Sequence, residues 1–179
     1  PASYISFLVL YRYYDRRYQA LFGNAFSQGS TVQNEQGVYM GLQLTPIARW
    51  KLSVYADLFR FPWSKYGIDA PSGGQEYMAQ IDYTPSRNYS AYLRYKYRQK
   101  EKNGTFENDN LLKINTYKQH RIRFQQVYNF SSPFIFKTSL DGILFDDPIK
   151  KLNKGIMISQ SIGWKPTTLP LQIDGYLAW

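Results

Sequence analysis

Residues 89–98 have the sequence YSAYLRYKYR, in which two kinds of side chain alternate. One alternate set begins at Tyr89 and holds only Tyr, Ala and Leu, whereas the other begins at Ser90 and holds Arg94, Lys96 and Arg98. Successive side chains of a β-strand point to opposite sides, so this stretch predicts a strand with one apolar and one basic face. A helix would mix the two sets around its circumference.

The same period of two extends over about ten segments, each roughly as long as a strand that crosses a membrane. The predicted strands are 3–14, 17–27, 37–45, 50–61, 75–84, 89–99, 117–130, 134–145, 155–165 and 171–179. In segment 17–27 both alternate sets contain polar as well as apolar residues, so the alternation there is ambiguous. In the others, charged residues away from the strand ends fall opposite the apolar set. The pattern predicts an all-β, antiparallel up-and-down meander.

The connections between these segments alternate in length. The short ones are 15–16, 45–48, 84–88, 131–133 and 166–170, and the long ones are 28–36, 62–74, 100–116 and 146–154. Short turns on one side and long loops on the other are typical of outer-membrane barrels, with the short turns in the periplasm. We therefore predict that 1–179 is one transmembrane β-barrel domain, or a fragment of one. The alternative is a soluble up-and-down barrel or sandwich.

Aromatic residues make up 18% of the chain and collect near the predicted strand ends. Those that flank the short turns are Tyr13, Tyr18, Trp50, Tyr83, Tyr89, Tyr128, Phe130, Phe134 and Trp164. Those that flank the long loops are Phe26, Phe59, Phe61, Trp63, Tyr77, Tyr97 and Tyr117. Amphipathic rings favour the headgroup level of a bilayer, so these sets predict two aromatic belts.

Composition excludes several classes of protein. There is no Cys, which excludes disulfides and thiolate metal sites, and His120 is the single His, which excludes a multi-His metal site. No apolar run approaches the roughly 20 residues of a transmembrane helix. We therefore expect no metal and no cofactor. The formal charge of +9 favours phosphates, nucleic acid or anionic headgroups as partners.

Three stretches, 10–26, 32–37 and 93–100, resemble the C-terminal barrel region of Bacteroidota proteins described as helix-hairpin-helix domain-containing. The resemblance covers most of the chain and implies an outer-membrane location and a barrel architecture. The helical module that precedes the barrel in that family has no counterpart in residues 1–179. Its similarity to DNA-binding domains therefore implies nothing for these residues.

Five basic residues near the 100–116 connection form the candidate site. They are Arg94, Lys96, Arg98, Arg121 and Arg123, which share one lumenal face if their strands pair as a hairpin. An electropositive strip of this kind attracts anionic solutes, phosphate-bearing glycolipid or nucleic acid. The alternative is an internal lattice of ion pairs with carboxylates of neighbouring strands. The candidate carboxylates are Asp57, Glu76, Asp82 and Asp141.

The function that these features favour is non-enzymatic. We expect a channel, or a membrane anchor within a larger outer-membrane assembly, with outer-membrane lipid and further strands or other outer-membrane proteins as partners. A lipid- or glycan-modifying enzyme is the first alternative and would need His120 beside one of Ser139, Ser159 and Ser161. A soluble β-barrel binding protein is the second.

The order of the predicted strands also predicts where the ends of the sheet lie. With the short turns in the periplasm, strand 3–14 runs towards the periplasm and strand 171–179 runs away from it. Both ends then lie at the outer rim, whereas a complete bacterial barrel has both in the periplasm. We therefore expect part of a larger barrel, in which these two strands each pair with a further strand.

Overall fold

The chain forms one antiparallel sheet in the computed structural model, which describes residues 4–19, 25–29, 32–106, 109–130, 133–148, 151–166 and 171–179. Its strands are β1 (Ile5–Tyr14), β2 (Glu35–Ile47), β3 (Trp50–Phe61), β4 (Ser72–Ser86), β5 (Tyr89–Phe106), β6 (Asp109–Asn129), β7 (Phe134–Asp147), β8 (Lys151–Trp164) and β9 (Ile173–Ala178). Each strand pairs with the next in chain order. The predicted all-β, up-and-down meander is confirmed within the described residues.

The cross-strand register aligns the apolar sets of neighbouring strands into continuous rows. One such row, in pairing order, is Ile5, Leu44, Leu52, Ile81, Leu93, Phe124, Leu140 and Ile158. We call the side of the sheet that presents these residues the apolar face and the opposite side the polar face. Because side chains alternate along each strand, this alignment gathers the charged alternates on the polar face.

Burial on the two faces is the reverse of that in a water-soluble domain. Leu93 and Ile158, in the apolar row, are 46% and 47% exposed, whereas Glu35 and Asp57, on the polar face, are almost completely buried. Apolar residues normally fill the interior, and carboxylates are buried only when paired. The sheet therefore has buried carboxylates on its polar side and an uncovered apolar side.

A small apolar cluster lies where the connection 62–71 folds onto the polar side of β3. Phe59, Phe61 and Ile68 are the buried apolar residues of the described part of the chain. The prediction that Phe59 and Phe61 belong to an outward belt is therefore wrong, because their alternate set continues that of Asp57. Burial against this cluster lowers the pKa of Lys65 to about 8, partly offset by the charge of Glu35.

Segment 17–27 is not a strand in the residues that the structure describes. Residues 17–19 and 25–27 have no strand pairing, and 20–24 lie outside the described residues. In the part of the chain that the structure describes, the sheet thus has nine strands rather than the predicted ten. β1 pairs directly with β2, with Tyr14 opposite Glu35, so 15–16 does not join two strands and Tyr13 lies at the long-connection end.

The 100–116 connection is mostly strand rather than loop. The β5–β6 ladder continues through Lys102 opposite Asn115 and Gly104 opposite Lys113, and 107–108 lie outside the described residues. Backbone pairing does not require a period of two, and in 100–116 polar and apolar residues occur in both alternate sets, so pattern analysis does not detect the strand. The hairpin therefore extends past its neighbours at the long-connection end.

The sheet is not closed within the described residues, since β1 and β9 each have one neighbour. The expected direction of β1 is wrong, because β1 pairs directly with β2 and Ile5 lies opposite Leu44, near the short turn after β2. β9 runs in the expected direction, from Ile173 opposite Trp164 to Ala178 opposite Ser159, away from the 165–172 connection. The turns 131–133 and 166–170 lie in part outside the described residues. In the described part of the chain, no helix has the length and hydropathy to span a membrane.

Candidate functional site

The polar face of β5 and β6 brings together the five basic residues of the predicted strip. Lys96 lies directly opposite Arg121, and Arg94 directly opposite Arg123. Arg98 lies opposite the neutral Gln119. The strip is therefore a two-strand array of cations, ordered by the register of one hairpin.

Glu76 of β4 neutralises part of this array from one side. Its Oε2 accepts a hydrogen bond from Arg98 Nε at 2.5 Å, and its Oε1 lies 2.8 Å from Lys96 Nζ. Tyr55 Oη donates to the same Oε1 at 2.5 Å. Three donors thus hold one buried carboxylate, which compensates the cost of removing it from water.

Asp141 of β7 neutralises part of the array from the β6 side. Its Oδ1 accepts hydrogen bonds from Arg123 Nε at 2.6 Å and from Arg121 Nη2 at 3.1 Å. Of the four predicted lattice carboxylates, Glu76 and Asp141 contact the strip. Asp82 lies 3.8 Å from Lys51, and Asp57 pairs with Arg12.

Arg94 has no carboxylate partner among the described residues. Its Nε donates to Gln80 Oε1 at 2.6 Å, and its guanidinium carbon lies 5.1 Å from the ring centroid of Tyr92. Both partners are neutral. Among the described residues, the strip therefore combines ion pairs to Glu76 and Asp141 with one cation, Arg94, that no carboxylate compensates.

A second charge cluster, around Arg12, is absent from the sequence prediction. Arg12 donates from Nε to Glu35 Oε1 at 2.6 Å and from Nη1 to Asp57 Oδ1 at 2.7 Å. All three side chains are almost completely buried. Gly37 makes room for them, because a Cβ atom there would lie 2.7 Å from the Arg12 guanidinium carbon. The sequence did place Arg12 and Asp57 in the polar alternate sets of their strands, which could have suggested an ion pair. Glu35 was missed because it lies outside the predicted strand 37–45.

Segment 25–29 lies across the polar face and joins the two clusters. The backbone amide of Gln28 donates to Glu35 Oε2 at 2.8 Å, and its Nε2 donates to Asp57 Oδ2 at 2.7 Å. On the other side, Arg98 Nη2 donates to Gln28 Oε1, and Lys100 Nζ to the Gln28 carbonyl, both at 3.2 Å. One residue therefore connects the carboxylates of β2 and β3 with the cations of β5.

The structure places the predicted belt aromatics in cross-strand contacts, with exceptions. Ring centroids are 4.4 Å apart for Trp50 and Tyr83, 6.3 Å for Tyr89 and Tyr128, and 6.1 Å for Tyr77 and Tyr97. Trp164 ends β8, opposite Phe134. Trp63 lies beyond β3 under the guanidinium of Arg16, and Tyr117 shares the alternate set of Arg121 and Arg123 on the polar face.

His120 and the serines proposed for the enzymatic alternative lie on opposite faces. His120 belongs to the apolar face, where its Nδ1 is 2.8 Å from Tyr95 Oη. Ser139 and Ser159 face each other on the polar side, with their Oγ atoms 2.6 Å apart. The sheet lies between them, so these residues form no Ser–His pair. Among the described residues, no group of three or more metal-ligating side chains converges.

Comparison of the chain with protein-family models, with curated proteins and with solved structures gave no match. The chemistry of the two faces of the sheet is therefore the basis for the function proposed below.

Proposed function

We propose that this chain is a segment of an outer-membrane β-barrel, with its apolar face against lipid and its polar face towards the barrel interior. In this role it serves as a channel that favours anionic solutes, or as a non-enzymatic anchor of a larger outer-membrane assembly. The observation that carries the proposal is the reversed burial of the two faces. Contiguous exposed apolar surface on this scale marks a surface that another apolar phase covers.

The spacing of the aromatic rows supports the same arrangement. Tyr89 and Tyr97 lie eight residues apart on β5, which is about 26 Å along a strand. A strand tilt of about 40° reduces this to about 20 Å along the membrane normal, close to the roughly 25 Å apolar band of outer-membrane barrels. Of the three rows between them, those through Leu93 and Tyr95 hold apolar residues or Gly on β2 to β8. The row through Ala91 continues in Gln126, Thr138 and Gln160, of which Thr138 and Gln160 hydrogen-bond to each other.

The open edges of the sheet support the proposal that further strands complete the barrel. Unpaired backbone groups cost several kcal/mol each in hydrocarbon, where no water can bond to them. A sheet in the bilayer therefore needs partners for β1 and β9, either from the same protein or from a neighbouring one.

Replacement of Leu52 by Arg tests whether the apolar face meets lipid. We expect Leu52→Arg to lower the free energy of unfolding in lipid vesicles by about 2–4 kcal/mol, the cost of such a charge near the bilayer midplane. Urea titration of the vesicle-inserted protein measures it.

Ser53→Arg is the matched control, because Ser53 is the next residue on β3 and lies on the polar face. We expect it to change stability by less than about 0.5 kcal/mol, as surface substitutions usually do. Equal small effects of both variants, together with extraction of the protein from cells without detergent, would contradict the membrane location.

The basic strip predicts the ion selectivity of the channel. In planar bilayers under a salt gradient, we expect reversal potentials that indicate a preference for anions, because fixed positive charge in a pore attracts them. Combined replacement of Arg94, Lys96, Arg121 and Arg123 by Gln should move the reversal potential towards zero. The double variant Lys154→Gln/Lys165→Gln, with both lysines away from the strip, should not.

Cation selectivity of the unmodified protein, or unchanged selectivity of the fourfold variant, would contradict this role for the strip. An anchor would instead give no conductance. One observation favours that second role, since segment 25–29 crosses the polar face and would narrow an interior passage.

A further inference from the structure

We propose that the paired cations at the centre of the β5–β6 hairpin bind a phosphate group in its dianionic form. The site consists of Arg94, Lys96, Arg121 and Arg123, and we call it the four-cation site. The inference rests on the proposed function in one respect, namely that the polar face is the water-filled interior that solutes can enter.

The register of the hairpin sets like charges directly against each other twice in succession. Arg94 faces Arg123, and two residues along Lys96 faces Arg121. Residues directly opposite in an antiparallel pair have Cβ atoms about 5 Å apart, and like charges there are destabilising. The hairpin has two such repulsive pairs next to each other on the same face. A bound anion between the strands would offset the repulsion of both pairs.

The two carboxylates that could neutralise these cations lie at the flanks and face away from solvent. The side chains of Glu76 and Asp141 are 5% and 8% exposed, whereas those of Lys96, Arg121 and Arg123 are 30–46% exposed. A solute that approaches the polar face therefore meets the cations first. Since two carboxylates oppose four cations, the site retains a surplus of two positive charges, before Arg98 is considered.

The guanidinium group of Arg94 has its outer end free. Within the described residues, Arg94 donates from Nε alone, to Gln80, whereas Arg123 donates from Nε to Asp141 and also has a side-chain hydrogen bond with Tyr92. The Nη atoms of Arg94 thus remain as one planar pair of donors. A guanidinium group binds phosphate oxygens through such a pair, and a tetrahedral oxyanion can also accept from Arg123 and from the Lys96 ammonium.

A cavity next to Arg123 has room for the remainder of a phosphorylated solute. Its volume is about 210 Å³, and its lining includes Lys137, Ser139, Ser159 and Ser161, with the Asp141 carboxylate that pairs with Arg121 and Arg123. That space corresponds to about seven water molecules at their liquid volume. An ammonium and three hydroxyl groups suit a small polar substituent on the phosphate.

Calorimetric titration of the detergent-solubilised protein with inorganic phosphate and with glycerol 3-phosphate tests the site. We expect saturable binding at pH 7.5 that weakens at least tenfold in the Arg94→Gln/Arg123→Gln variant. Lys51→Gln is the control, because Lys51 lies on the same polar face but beside Asp82 of β4. An equal loss in the control, or equal competition by chloride, would overturn a specific site.

The charge of the ligand provides a second criterion. The second pKa of a phosphate ester is about 6, so binding of phosphate should weaken from pH 7.5 to pH 5.5, whereas binding of sulfate should not. Parallel loss of both would overturn the preference for a dianion. Micelles that contain phosphatidate distinguish a lipid headgroup from a solute: binding to the micelles alone identifies a headgroup, and binding of glycerol 3-phosphate identifies a solute.

Failure of this inference is distinguishable from failure of the proposed function. Phosphate binding in detergent does not require conduction, and the Leu52→Arg comparison concerns the other face of the sheet. Absence of binding to phosphate, glycerol 3-phosphate and phosphatidate would overturn the four-cation site and leave the membrane proposal unchanged.

Discussion

Replacement of Arg12 by Met should destabilise the protein by about 3–5 kcal/mol, because it leaves two buried carboxylates without their cation. Glu35 and Asp57 are 0% and 1% exposed, and both accept hydrogen bonds from the Arg12 guanidinium. Met retains an unbranched stem as far as the ε position, so the main change is loss of the guanidinium charge and its hydrogen bonds. Urea unfolding in detergent or lipid, followed by tryptophan fluorescence, measures the loss.

The combined variant Arg12→Met/Glu35→Gln/Asp57→Asn separates charge from shape. It removes all three charges and preserves acceptor oxygens for the Gln28 amide and side chain. Neutral replacement of a whole buried ion cluster often costs little, so we expect most of the stability to return. If the triple variant is as unstable as Arg12→Met, loss of packing rather than unpaired charge is the cause.

Replacement of Gly74 by Ala should cost about 1–3 kcal/mol through overpacking, the range typical of inserted methyl groups. A Cβ atom at Gly74 would lie 2.5 Å from the Phe59 ring and 2.6 Å from the Gln99 carbonyl oxygen. The ring belongs to the buried apolar cluster, and the carbonyl is part of the β5 backbone, so neither can move cheaply. The midpoint of urea unfolding should fall accordingly.

Gly175→Ala is the matched control on β9. The nearest heavy atom to a Cβ there is the Ile162 carbonyl oxygen at 3.9 Å, an ordinary van der Waals distance. We expect its unfolding midpoint to stay close to that of the unmodified protein. A Gly74→Ala variant as stable as Gly175→Ala would show that Phe59 does not pack against β4.

The sequence predicted those strands that have one apolar face and one polar or charged face. In β3 to β8 the alternation of apolar and charged residues identifies which side chains share a face, and the register bears this out for Leu93, Phe124 and Leu140. Where polar and apolar residues occur in both alternate sets, as in 17–27 and in 100–116, the prediction was wrong. In those segments backbone pairing and contacts distant in the chain, rather than local hydrophobicity, decide the structure.

For the candidate site, too, the sequence predicted some features and tertiary structure decided others. The alternation by itself determined that Arg94 and Lys96 share one face of β5 and that Arg121 and Arg123 share one face of β6, because a period of two is a local property of the chain. The hairpin register places the two pairs on the same face of the sheet. Which carboxylate each cation meets was decided by tertiary structure, because partner choice depends on the offset between strands. Thus Asp57 pairs with Arg12, 45 residues away, and Gln28 reaches both clusters by crossing the face. A buried carboxylate must be neutralised by whichever group the fold brings within reach, and no local pattern encodes that choice.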